Sequence, residues 1–210
     1  MFGNTINYLK EKLFHTKDDI ESMEETVAVE EIPNEILLQE VDYSTIPEAD
    51  IVNPNGEKSI LIVDDQDIIS VLYRNDFRKI EHEFHKNIEN DFKVIRCLDK
   101  DSGLRAFKLV YIDKVKIDYA LLDLTLGCMA KLPNNQYAEV DGADLGIYIK
   151  KFNPDAKILF VTAHTMNIDN YVVAKYADKL KKHGLDLLSL YLSKNSLTRY
   201  ASVHDLLYKS

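Results

Sequence analysis

The sequence predicts an α/β fold: a doubly wound, five-stranded parallel sheet in the order 2-1-3-4-5, with helices on both faces. Two observations carry this. Short apolar runs rich in β-branched residues recur along the chain, as strands buried on both faces do. Between them lie longer stretches in which apolar residues return at helical spacing, so strand and helix alternate as in βαβ units.

The elements follow in order from residue 58. Ser59–Val63 (SILIV) is the first strand. A long helical pattern spans about Ile68–Asn90, with Ile69, Leu72, Tyr73, Phe77, Ile80 and Phe84 near one face. Lys93–Leu98 is a strand, followed by a helix over Ser102–Ile112. Tyr119–Leu124 is the third strand. A loop containing Pro133, Asn134 and Asn135 leads to a helix over Ala143–Phe152. Lys157–Thr162 is the fourth strand and is followed by a helix near Ile168–Lys182. Leu190–Leu192 is a short fifth strand, and Leu197–Tyr208 closes the pattern as a helix.

Residues 1–57 read differently, as an acidic N-terminal extension and linker ahead of a domain at 58–210. They hold three lysines against fourteen Asp and Glu, a balance of −11. The remaining residues hold 23 basic and 21 acidic, a balance of +2, which together make the net charge of −9. Pro33, Pro47, Pro54 and Asn55-Gly56 punctuate the extension. Its first residues, about Asn4–His15, carry Ile6, Leu9, Leu13 and Phe14 at near-helical spacing, a short amphipathic helix that needs a partner surface.

Composition narrows the function. An acidic chain is poorly suited to holding a phosphate backbone, so no nucleic-acid partner is expected. No apolar run approaches the roughly 18 residues needed to span a bilayer, and the N-terminus lacks the pattern of a secretory signal. The expected location is cytoplasmic, with no indication of membrane contact. Cys97 and Cys128 fit no metal spacing and read as structural.

The chemistry lies where the strands end. Asp64-Asp65 follow the first strand, Asp123 lies near the end of the third, Thr162 ends the fourth and Lys194 follows the fifth. In a parallel sheet these ends share one edge. Three carboxylates brought together repel unless a counter-charge is present. A hard divalent cation such as Mg²⁺ answers this, with Lys194 as a second positive charge and Thr162 as a hydroxyl donor. A carboxylate nucleophile, a metal and a cation suit phosphoryl transfer to Asp123. Taken singly, each residue has a plain alternative: Asp64-Asp65 can cap a helix, Thr162 can be an ordinary strand residue and Lys194 a solvated one. Their joint placement at four strand ends favours the shared site.

The stretches ILIVDD, YALLDL, ILFVTA and YLSK, in this order, resemble the receiver domains of two-component signalling over about residues 58–208, and Asp141-Gly142 resembles the pair opening the family's third helix. The resemblance implies that Asp123 accepts phosphate from a histidine kinase or phosphotransfer protein. It further implies that Asp64, Asp65, Asp123 and the carbonyl of Thr125 hold Mg²⁺, and that Lys194 and Thr162 hold phosphoryl oxygens. Thr162 and Tyr191 would form the switch, altering the surface of the fourth helix, fifth strand and fifth helix. Such a protein signals through contact with a downstream protein and is not an enzyme beyond accepting and losing its own phosphate. A homodimer is compatible with this reading.

The sequence departs from the family at Asn195, where a proline usually follows the lysine, and in a long loop from Thr125 to Asp141 with Cys128, Met129, Lys131 and Tyr137. These departures motivate a second reading, a receiver-like binding module that does not use phosphate. A third, a small Asp-nucleophile phosphatase, lacks the usual second Asp, since Thr125 stands two residues after Asp123. His82 and His85 lie three apart with no evident third ligand and read as a solvated helix face. The resemblance also implies that His164, two residues after Thr162, affects phosphate lifetime. Sixteen residues follow Lys194, so a stand-alone receiver is expected.

Overall fold

A computed structural model describes residues 41–131, 137–163 and 171–209. The chain divides into two units, Met1–Pro33 and Asn34–Ser210, and every described residue belongs to the second. The expected N-terminal helix over Asn4–His15 and His164 lie outside the described residues.

The main sheet runs β1 (Asp50–Val52), β3 (Lys93–Leu98), β2 (Ser59–Asp64), β4 (Tyr119–Leu122), β7 (Lys157–Thr162) and β8 (Tyr191–Ser193). From β3 to β8 all neighbours are parallel, and β1 alone pairs antiparallel, with β3. Numbered by themselves, the five parallel strands stand in the order 2-1-3-4-5. The sheet is nevertheless six-stranded rather than five-stranded. The third strand stops at Leu122, two residues short of expectation, and Leu124 beyond it is packed in the core.

Strand alternation decides the core. On β2, Leu61 and Val63 face one cluster while Ile60 and Ile62 face the other. The first cluster is closed by α3 (Ser102–Phe107), α4 (Gly142–Phe152) and α5 (Tyr171–Lys181), through Phe107, Leu145, Ile149, Val173 and Leu180. The second is closed by α1 (Ile69–Phe84) and α7 (Arg199–Tyr208), through Ile69, Tyr73, Phe77, Ile80, Val203 and Leu207. Each such side chain contributes about 1.5–3 kcal/mol of burial, so both faces hold helices firmly.

Several elements differ from the sequence reading. The long first helix is two pieces, α1 and the short α2 (Ile88–Asp91). His85 ends α1 in the left-handed region (φ 55°), and Asn87 caps α2 by accepting from the Asn90 N–H at 3.1 Å. His82 is therefore helical while His85 is not, so the two share no helix face. Lys108–Ile112 continues α3 as a turn of π-helix. The fifth strand, expected at Leu190–Leu192, lies one residue later and is preceded by the short α6 (Leu187–Leu190). The last helix begins at Arg199 rather than Leu197. The long loop contains a hairpin, β5 (Cys128–Lys131) paired antiparallel with β6 (Tyr137–Val140).

The stretch read as linker is partly built into the domain. A 3-10 turn at Tyr43–Thr45 and β1 lie along β3 and α3. Tyr43 stacks on Phe107 with ring centroids 6.2 Å apart, the Pro47 carbonyl accepts from Arg105 Nε at 2.8 Å, and Lys108 pairs with Glu48 at 2.8 Å. Arg96 pairs with Asp50 at 3.3 Å and with Glu89. The acidity of this segment thus meets basic side chains far along the chain. Among the described residues no helix is long and apolar enough to cross a membrane.

Candidate functional site

Four of the parallel strands deliver the polar residues to one edge. Asp64 is the last residue of β2 and is fully buried. Asp123 directly follows β4, and its N–H donates to the Val63 carbonyl at 2.8 Å, which fixes it beside Asp64. Thr162 ends β7 and is fully buried. Lys194 follows β8, held to the sheet by its N–H donating to the Thr162 carbonyl at 2.9 Å.

Lys194 reaches across the crevice. Its Nζ donates to Asp123 Oδ2 at 2.8 Å and lies 2.7 Å from Asp64 Oδ2, an ion pair without hydrogen-bond alignment. Asp64 Oδ1 accepts from the Gln66 N–H at 3.2 Å, and Asp123 Oδ1 from the Thr125 N–H at 3.4 Å. Asp65 Oδ2 accepts from the Gly127 N–H at 3.2 Å, while its Oδ1 is buried with no hydrogen-bond partner among the described residues. One carboxylate oxygen from each of Asp64, Asp65 and Asp123 lies within 4.8 Å of the others.

The electrostatics follow from burial. Desolvation pushes the Asp64 carboxyl up to about 6, against the pull of Lys194 and with the Asp123 charge adding to the rise. Burial likewise raises Asp123, opposed by Lys194. Burial alone would lower Lys194, but its close contacts with the Asp123 and Asp64 carboxylates outweigh it and hold the ammonium above its usual range. Three carboxylates against one ammonium leave two negative charges in a buried cleft. With the orphaned Asp65 oxygen, this donor set fits a hard divalent cation, which binds carboxylates and carbonyls.

Gly142 is placed against the backbone of Asp123. A Cβ there would lie 1.8 Å from the Asp123 carbonyl oxygen, so the start of α4 approaches the Asp123 backbone as only glycine permits. Asp141 caps α4, its Oδ1 accepting from the Asp144 N–H at 2.7 Å.

Of the remaining expected residues, Thr125 is half-buried two residues past Asp123, and Tyr191 is half-buried on β8 opposite Phe160. Three residues that the sequence reading did not assign to the site adjoin it. Tyr73 lies beneath Asp64 and Asp123 with its hydroxyl buried and without a hydrogen-bond partner among the described residues; burial, reinforced by those carboxylates, keeps it neutral. Arg199 donates from Nη1 to the Lys194 carbonyl, and its Nε donates to Asp76 Oδ2 at 2.6 Å. Tyr73 and Asp76 are three apart, one helical turn that marks a shared buried face; nothing in sequence pairs Asp76 with Arg199.

The fold and site together define a doubly wound α/β domain with an acidic, lysine-bridged crevice at the carboxyl ends of its strands. No protein-family model matches the chain, and no curated protein matches it. The chain is similar to solved structures of response regulators and their receiver domains. One is a response regulator protein from Burkholderia pseudomallei with a phosphorylated aspartic acid, calcium ion and citrate. It is 20% identical, with 72% of this chain and 66% of that chain covered and a TM-score of 0.42, so this chain spans just under two thirds of its length. A LuxR-family two-component response regulator from an Aurantimonas species is 23% identical, with 75% and 80% covered and a TM-score of 0.41. A CheY-like receiver domain protein from Methanospirillum hungatei is 20% identical, with 70% and 88% covered and a TM-score of 0.42.

Proposed function

We propose that this protein is a phosphorylation switch of the receiver type, with Asp123 as the acceptor. The observation that carries this reading is the convergence of Asp64, Asp65 and Asp123 around a lysine that bridges two of them. An oxygen of Asp123 forms the new bond to phosphorus while the bond to the donor breaks and its electron pair leaves with the donor group. Lys194 then moves its contact from the carboxylate to the phosphoryl oxygens, keeping the charge matched as it grows. Thr162 supplies a hydroxyl to the same oxygens. Asp64, Asp65, Asp123 and the Thr125 carbonyl would hold Mg²⁺, which supplies charge neutralisation at the transferred group.

The donor class is a histidine kinase or phosphotransfer protein. Thr162 and Tyr191 carry the signal to the α5–β8–α7 surface, which a downstream protein reads. The chain turns over only its own acyl phosphate. Labelling with acetyl phosphate and Mg²⁺ tests the reading: the wild type gains one phosphoryl group by intact mass, and Asp123→Asn gains none. A wild type that stays unlabelled by acetyl phosphate and by a panel of histidine kinases refutes it.

A further inference from the structure

Lys194 is held at both ends, and the second hold has no part in the reading above. Its side chain lies between Asp64 and Asp123, while its carbonyl accepts from Arg199 Nη1. Arg199 is 4% exposed and its anchor Asp76 is 3% exposed. The guanidinium therefore spans two acceptors from different elements: a carboxylate on α1 and a backbone carbonyl in the β8–α7 loop. This planar fork is what arginine offers and lysine does not.

A buried ion pair is a poor way to gain stability, because desolvation costs as much as the attraction returns. Its use is better sought in what it fixes. Asn195, next to Lys194, is exposed, and its backbone lacks the ring that would restrict it in a proline. The other ties are the Lys194 N–H to the Thr162 carbonyl at 2.9 Å, on the amide side of the residue, and the loop's own short bonds, among them Asn195 N–H to Ser193 Oγ at 3.2 Å and Ser196 N–H to the Ser193 carbonyl at 3.1 Å. Among the described residues, Arg199 is what links the carbonyl side of Lys194 to a helix on a buried face, through Asp76 of α1. Rotation of that peptide would swing the lysine stem, and displacements near 1 Å at a reacting group are costly.

We infer that Arg199, anchored on Asp76, is a positioning residue that sets how Lys194 reaches into the crevice. The inference rests on the reading of that crevice as a phosphoryl pocket and names the part of the fold that tunes it. It makes α1 and α7 joint supports of the lysine.

The test uses the full chain. Asp76→Leu with Arg199→Met removes both buried charges and the donor to Lys194 while keeping apolar volume, so the fold survives, as judged by thermal melting. Beryllofluoride affinity in excess Mg²⁺ is expected to fall roughly tenfold or more in this double variant. In a Lys194→Met background the same double substitution should change affinity less than about twofold, since the arginine acts through the lysine. Arg199→Lys keeps the charge beside Asp76 but lacks the second arm, and should give an intermediate loss. Wild-type affinity in the double variant, or an equal loss in both backgrounds, overturns the inference.

A phosphate-free readout separates it from the pocket reading. The ¹⁵Nζ signal of Lys194, identified by its absence in Lys194→Met, should be lost or merge with solvated lysines in the double variant. If the wild type binds no beryllofluoride, the pocket reading fails, while loss of this signal still upholds the positioning role. Retention of the signal overturns it.

Discussion

Two clusters in this molecule set carboxylates against a single lysine, and they are built differently. In the crevice, Lys194 meets Asp64 and Asp123 with Asp65 close by, residues gathered from the ends of separate strands. On the first core face, Lys179 of α5 meets Asp141 at 3.0 Å and Asp144 at 2.8 Å, both at the start of α4. The second cluster is largely accounted for by structure: Asp141 caps α4, and Lys179 ties α5 to it. The first gathers its three carboxylates from the ends of two strands, and both clusters keep buried carboxylate oxygens without a hydrogen-bond partner among the described residues: Asp64 Oδ2 and Asp65 Oδ1 in the one, Asp144 Oδ2 in the other. The difference is between acid placed by the start of one helix and acid gathered from the ends of two strands.

The most damaging change to the first cluster is Lys194→Ala. It leaves Asp64 and Asp123 buried without their counter-charge, a loss of about 3–5 kcal/mol for breaking a buried pair. Denaturant melts in chelator should show it, and saturating Mg²⁺ should restore part of it. A complete absence of destabilisation would mean the two carboxylates are already neutral. Next comes the cation itself. At a hundredfold excess over its dissociation constant, a ligand that binds only the native state adds about 2.7 kcal/mol. Mg²⁺ should therefore raise the wild-type melting temperature and do so much less in Asp65→Asn. Equal shifts in both proteins would detach Asp65 from the cation.

The second cluster gives a pH signature. Burial, with Asp141 adding, pushes Asp144 up to about 6 despite Lys179. Its folded pKa lies above the unfolded value of 3.8, so the native state binds this proton more tightly. Its contribution therefore favours folding below pH 4 and is lost as pH rises toward 6. The amount is on the order of 3 kcal/mol. Asp144→Asn should flatten the stability profile between pH 4 and pH 7, and an unchanged slope would remove Asp144 as its source. The smallest effect belongs to Asp205→Ala. This residue pairs with Lys209 at 2.8 Å in an exposed i, i+4 arrangement, and its loss should leave the melting temperature unchanged within error.

The central parallel strands β2 and β4 were legible because they are buried on both faces and so read as unbroken apolar runs. The crevice residues were legible for the same reason, since a polar residue stands out where such a run ends. What escaped was nonlocal. Asp50–Val52 has one apolar face at most, and it becomes a strand through Arg96, Arg105 and Lys108, which lie some fifty residues away. The break at His85 escaped because Phe84 and Ile88 keep helical spacing across it. Arg199 and Asp76 escaped because each is an ordinary charged residue on an amphipathic helix until the two helices meet.

The short β1 strand has a further consequence for behaviour in solution. It occupies the open side of β3, whose Val94, Ile95 and Cys97 are buried. A three-residue edge bearing Asp50 is a poor template for further pairing, whereas a bare six-residue edge of this composition invites it. A protein shortened to begin at residue 58, where the sequence alone would place the domain, would lose this cover. Its exposed β3 edge would be a template for pairing with its own copies.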